Sequence, residues 1–120
     1  MDSNDKFVEM QEVNNVFTNT VMPIFYNIKK NSKGNYSCEV TVPATEYGTL
    51  PTSPHIVDEA RIEITKPINR KEMKRIYVGL KYKEYKVHFD INGQDKKELD
   101  LNDITSEYLN GLMDEIINRL

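Results

Sequence analysis

Apolar and polar residues alternate most regularly between Ile76 and Leu101, where Tyr85, Val87, Phe89 and Ile91 are separated by Lys86, His88 and Asp90. A period of two is what a half-buried strand requires. Asn92-Gly93 marks the turn that follows. A two-residue loop there would set Asp90 opposite Asp95 and turn Leu99 away from the apolar face. A three-residue loop, Asn92 to Gln94, avoids both problems. It pairs Val87 with Leu99 and Tyr85 with Leu101 on one face, and Asp90 with Lys96, His88 with Glu98 and Lys86 with Asp100 on the other. A slip of one residue would reverse every side chain, so this register is expected.

Ile76, Val78, Leu80 and Tyr82 form the preceding leg of this meander (76–101). Their parity is opposite to that of Tyr85 to Ile91, so Lys83-Glu84 is read as a turn or a bulge. A turn there would pair Leu80 with Val87 and Val78 with Phe89. Neither Lys83 nor Glu84 suits the positive φ of a primed two-residue turn, which keeps a bulge open. Ala60, Ile62 and Ile64 alternate along a further strand (60–66) that Pro67 ends or pushes to an edge.

Helical spacing governs both ends. Phe7, Met10, Val13, Phe17 and Val21 define an amphipathic helix over 4–21, with Ser3 or Asn4 as cap and Pro23 as its stop. Ile104, Tyr108, Leu112, Ile116 and Leu120 repeat every four residues in a second helix, 105–120, capped by Asp103 or Thr105. Gly111 in its middle suggests close packing on the sheet. After the first helix, Ile24, Tyr26 and Ile28 alternate, as do Tyr36, Cys38, Val40 and Val42, predicting a hairpin over 24–42. Residues 43–55, with three prolines and a glycine, read as a surface loop; Asn69 to Arg75 allows at most one helical turn. The expected fold is α+β within one domain, 1–120: an N-terminal helix, a mainly antiparallel sheet of five or six strands built from a hairpin and a meander, and a C-terminal helix packed on it.

Composition narrows the function more than the fold. The 120 residues suit one core, and no apolar run approaches the roughly 18 residues of a membrane span. The acidic N-terminus lacks a secretory pattern, and a single cysteine, Cys38, agrees with a reducing compartment, so the cytoplasm is expected. Cys38 falls on an apolar face and reads as structural. Twelve lysines against four arginines fit the AT-rich coding background of a bacterium or phage.

Chemistry-bearing constellations are few. His55 with Asp58 and Glu59 matches no defined metal site, and His88 faces Glu98 as a surface pair. The five glycines are scattered and form no phosphate loop, and neighbouring carboxylates point apart along the chain. Neither an enzyme nor a cofactor is expected. Residues 70–88 carry seven basic residues against two acidic, whereas 90–120 carry three against eight. Arg70, Lys71, Lys74, Arg75, Tyr77, Lys81 and Lys83 therefore form a candidate band for single-stranded nucleic acid. Within it, RIYVGLKY is similar to the first RNA-contacting strand of an RNA-recognition motif. That fold would need a helix, more strands and a second glycine-aromatic motif in the 44 residues that follow, which read as hairpin and helix, so the match is rejected.

The leading expectation is instead a small protein-interaction module, a regulator, inhibitor or accessory protein that binds another protein or itself as a homodimer. Tyr47 and Leu50 in the loop, and Phe7 and Phe17 on the first helix, are its candidate contacts.

Overall fold

The computed structural model describes residues 3–32, 36–46, 55–93 and 95–120, with 3–7, 44–46, 55 and 95–96 described by their backbone alone. The chain is α+β: an N-terminal helix, a five-stranded antiparallel sheet and a C-terminal helix.

Helix α1 (Ser3–Val16) does not end at Pro23. It passes through a π turn, Phe17–Val21, directly into α2 (Met22–Asn31). Proline in an α-helix interior has no N–H to donate, and its ring meets the carbonyl four residues back. In the wider turn the Met22 N–H reaches back five residues to the Phe17 carbonyl, and Pro23 lands in the first turn of α2, where it is tolerated. The expected strand at Ile24, Tyr26 and Ile28 is therefore helix. The strand reading left Phe25 on the polar side, but Phe25 is fully buried and Tyr26 is exposed. Val13, Phe17, Val21 and Phe25 continue one stripe at four-residue steps.

Strand β1 (Ser37–Thr41) consequently finds a distant partner, β4 (Glu59–Pro67), with Cys38 opposite Ile64 and Val40 opposite Ile62. Between them lies a correction to the expected loop: β2 (Ala44–Glu46) and β3 (His55–Val57) pair as a short ribbon. From Thr41↔Arg61 to Ala44↔Val57, two residues on one side oppose three on the other, which is a bulge beside Pro43. The ribbon reaches α1, where the Asn14 Oδ1 accepts from the Val57 N–H at 2.9 Å and Ile56 is fully buried.

Strands β5 (Met73–Lys83), β6 (Lys86–Ile91) and β7 (Asp95–Leu99) complete the order β1-β4-β5-β6-β7. The β6–β7 register is the expected one: Val87↔Leu99, His88↔Glu98 and Asp90↔Lys96. Its three-residue loop places Asn92 at φ 56° and Gly93 at φ 73°. The expected pair Tyr85–Leu101 does not form, because Leu101 begins a 3-10 turn, Leu101–Asp103, beyond the end of β7. Between β5 and β6 the chain makes a turn rather than a bulge, at Glu84-Tyr85, so Leu80 lies opposite Phe89 and Tyr82 opposite Val87.

Helix α3 (Ser106–Asn118) is capped as expected by Thr105, whose Oγ1 accepts from the Tyr108 N–H at 3.1 Å. Gly111 is not a close-packing point; it is exposed, and an added Cβ would meet nothing. Val13, Phe17, Val21 and Phe25 from the first helix, Ile62, Val78, Leu80 and Phe89 from the sheet, and Leu109, Met113 and Ile116 from α3 belong to one buried cluster. Phe89 and Tyr108 meet edge to face at 6.1 Å. The helices thus cover one face of the sheet and leave the other open.

Candidate interaction surface

The open face is built from the polar positions of the strands. Arg75 pairs with Glu63 at 3.1 Å, Lys86 with Asp100 at 2.6 Å, and His88 Nδ1 lies 3.6 Å from Glu98 while its Nε2 donates to the Lys83 carbonyl at 2.9 Å. At its centre Tyr77 lies over Gly79, so closely that a Cβ there would stand 2.8 Å from the phenol oxygen. Arg75 and Lys86 are thus matched by carboxylates, while no ion pair involves Lys81 or Lys83 among the described residues.

Of the seven residues of the basic band, Tyr77, Lys81 and Lys83 line one pocket of about 400 Å³ on this face together with Glu59, His88 and Glu98, and the other four lie elsewhere. Lys74 Nζ donates to the Arg119 carbonyl at the end of α3, 2.6 Å away, and Arg75 is held by Glu63. Tyr77 covers Gly79. Lys81 and Lys83 sit at one end of β5, while Arg70 and Lys71 occupy the turn before its other end, roughly 33 Å away at a strand rise of about 3.3 Å per residue. Of the four contacts expected for a protein partner, Phe17 is enclosed in the core and offers no surface. Tyr47, Leu50 and the Phe7 side chain lie outside the described residues. Cys38 is half-buried on β1, and burial pushes its pKa up, against the opposing pull of Ser32 and Lys29.

Two surfaces that the periodicity did not single out emerge instead. The first is the tip of the β4–β5 hairpin. Ile68 is 58% exposed and Met73 67% exposed, on either side of Arg70 and Lys71. Neither cation has an ion-pair partner among the described residues. The tip is held in shape by Asn69, whose Oδ1 accepts from the N–H groups of Lys71 (2.8 Å) and Glu72 (2.9 Å), and by the Ile68 N–H bonded to the Glu72 carbonyl. Residues 66–75 carry five basic residues and one acidic, whereas the rest of the chain carries eleven basic and eighteen acidic.

The second surface is at the other end of β5, an open cleft of about 640 Å³ between α1, the β5–β6 turn and the 3-10 turn. Tyr82, Tyr85 and Leu101 line it together with Glu9, Glu12 and Asp103. The Tyr82 hydroxyl donates to Glu9 Oε1. Glu84 and Tyr85 occupy the left-handed region at φ 56° and 67°, and Tyr85 is 63% exposed. Such a turn normally takes Asn-Gly.

Burial, the bond to Glu9 and the neighbouring carboxylates Glu9 and Glu12 hold the Tyr82 phenol well above its ordinary value of 10.0. The folded chain therefore keeps this phenol neutral at a pH where the unfolded chain ionises it. The stability so contributed is complete below pH 10 and is lost as the pH rises above it. Tyr82→Phe is expected to flatten that fall. Urea midpoints of both chains between about pH 8 and about pH 11 check it, and parallel curves would refute the assignment.

No protein-family model, curated protein or solved structure matches this chain. Among the described residues there is no group of side chains suited to a metal ion, and no helix long and apolar enough to cross a membrane.

Proposed function

We propose that this chain is a small non-catalytic protein-interaction module, a cytoplasmic regulator, inhibitor or accessory protein, that docks through the β4–β5 hairpin tip. One observation carries the reading: two of the most exposed large apolar side chains, Ile68 and Met73, flank Arg70 and Lys71, which have no ion-pair partner among the described residues, on one ordered turn. Single exposed apolar residues are ordinary on any surface, but an apolar pair edged by arginine has the make-up of an interface centre. Its basic charge selects an acidic protein surface that offers apolar side chains between its carboxylates. Because Asn69 already holds the turn, little ordering entropy opposes binding.

Selection of displayed random peptides on the wild-type chain, with an Ile68→Ser/Met73→Ser variant as counter-target, tests this. The expected outcome is enrichment of peptides that combine Asp or Glu with Leu or Phe and fail to bind the variant. Peptides that bind both chains equally would overturn the proposal. So would the absence of enrichment combined with retention of labelled single-stranded DNA that is lost on Arg70→Glu/Lys71→Glu, which would move the tip to nucleic-acid binding.

A further inference from the structure

The tip and the cleft are complementary. The tip is cationic with two apolar side chains standing out of it; the cleft is acidic and lined by Tyr82, Tyr85 and Leu101. They occupy opposite ends of β5, roughly 33 Å apart by strand rise, so the tip of one molecule cannot reach its own cleft. We infer that the occupant of the cleft is the hairpin tip of a second copy of this chain, docked head to tail. This rests on the reading of the tip as a protein-docking element and names its partner.

The chemistry of each side fits. Arg70 or Lys71 entering beside Tyr85 meets both the face of an aromatic ring, which attracts a cation, and the carboxylates of Glu12 and Asp103. Ile68 and Met73 are the apolar side chains that Leu101 and the tyrosine rings can cover. The cleft is open to solvent and shallow enough for a protruding turn to enter it. Two features of the turn before β6 also favour a role in contact. Glu84 and Tyr85 are both held at the positive φ that the two-residue turn requires, at a cost that Asn-Gly would not incur, and the result is a tyrosine presented to solvent. The contact joins different patches on the two copies. A reciprocal antiparallel pair, each tip in the other's cleft, closes as a two-fold dimer; one contact per pair closes into a ring or continues as a chain. Opposite charges on the two sides make it weaker as salt rises.

Sedimentation velocity of the wild-type chain from micromolar to millimolar concentration, at low and at high salt, is the test. The expected result is reversible association that grows with concentration and weakens with salt. Arg70→Glu/Lys71→Glu and Glu12→Lys/Asp103→Lys should each weaken it by about tenfold or more. Mixing the two charge-reversed chains should restore association, because each then offers the other a tip and a cleft of opposite sign. Glu84→Asn/Tyr85→Gly, which keeps the turn and removes the ring, should weaken association without loss of the fold. A chain that remains monomeric at millimolar concentration and low salt, or reversed chains that do not associate when mixed, would overturn the inference. Peptides still selected at the tip in that case would leave the interaction module standing with a different partner; failure of both would remove the module as well.

Discussion

Phe17→Ala is expected to lower the free energy of unfolding by about 3–5 kcal/mol, the usual cost of emptying a buried phenylalanine site. Phe17 is fully buried, and its cluster includes Val13 and Phe25 of the helix, Leu80 and Phe89 of the sheet and Met113 of α3. It is also the first residue of the π turn that joins α1 to α2. Domains of this size are stable by only about 5–15 kcal/mol, so the variant should unfold at a much lower urea concentration with an unchanged m-value. A loss below about 1 kcal/mol would mean that the N-terminal helix is peripheral to the fold and available to another chain.

Replacing Glu84-Tyr85 by Asn-Gly is expected to act in the opposite direction, raising stability by about 1–3 kcal/mol. Each non-glycine residue in the left-handed region costs roughly 1–2 kcal/mol, and both residues of this turn are there. Asn-Gly is the pair that a primed two-residue turn accepts with least strain, although glycine also enlarges the unfolded ensemble and offsets part of the gain. The same urea titration measures it. No gain would mean that the Glu84 and Tyr85 side chains return the backbone strain through contacts within the chain, leaving little reason to assign Tyr85 to a partner.

Much of the meander was legible because its determinants are local. The β6–β7 pairing depends on residues within a dozen positions of each other, and only a three-residue loop reconciles the charge pairs with the position of Leu99. Thr105 and the four-residue apolar steps likewise define α3 from within its own segment. Residues 24–28 were not legible in this way. Ile24, Tyr26 and Ile28 satisfy a period of two, Val21, Ile24, Phe25 and Ile28 satisfy a helical period, and Pro23 weighed towards the first. Burial of Phe25 and Val21 against the sheet decides for helix, and the π turn removes the objection that proline raises. Once the helix is extended, β1 has no neighbour on its N-terminal side and pairs with β4 instead.

The interaction surface was the least legible part. Basic residues were visible as a run, but a run on a strand is distributed over two faces and two ends. Arg75 meets Glu63, and Lys74 meets the end of α3, at distances in sequence that no local pattern encodes. Tyr85 had the parity of a core residue until the turn shifted from Lys83-Glu84 to Glu84-Tyr85 and carried it into solvent. What the sequence by itself determined is the content of helix and strand at the two ends of the chain, the faces of the strands and one hairpin register, because these follow from periodicity and short-range pairing. Which helix continues, which strands become neighbours, and which charges are left unanswered at the hairpin tip were decided only by the tertiary structure, since each depends on long-range contacts that are defined only when the core closes.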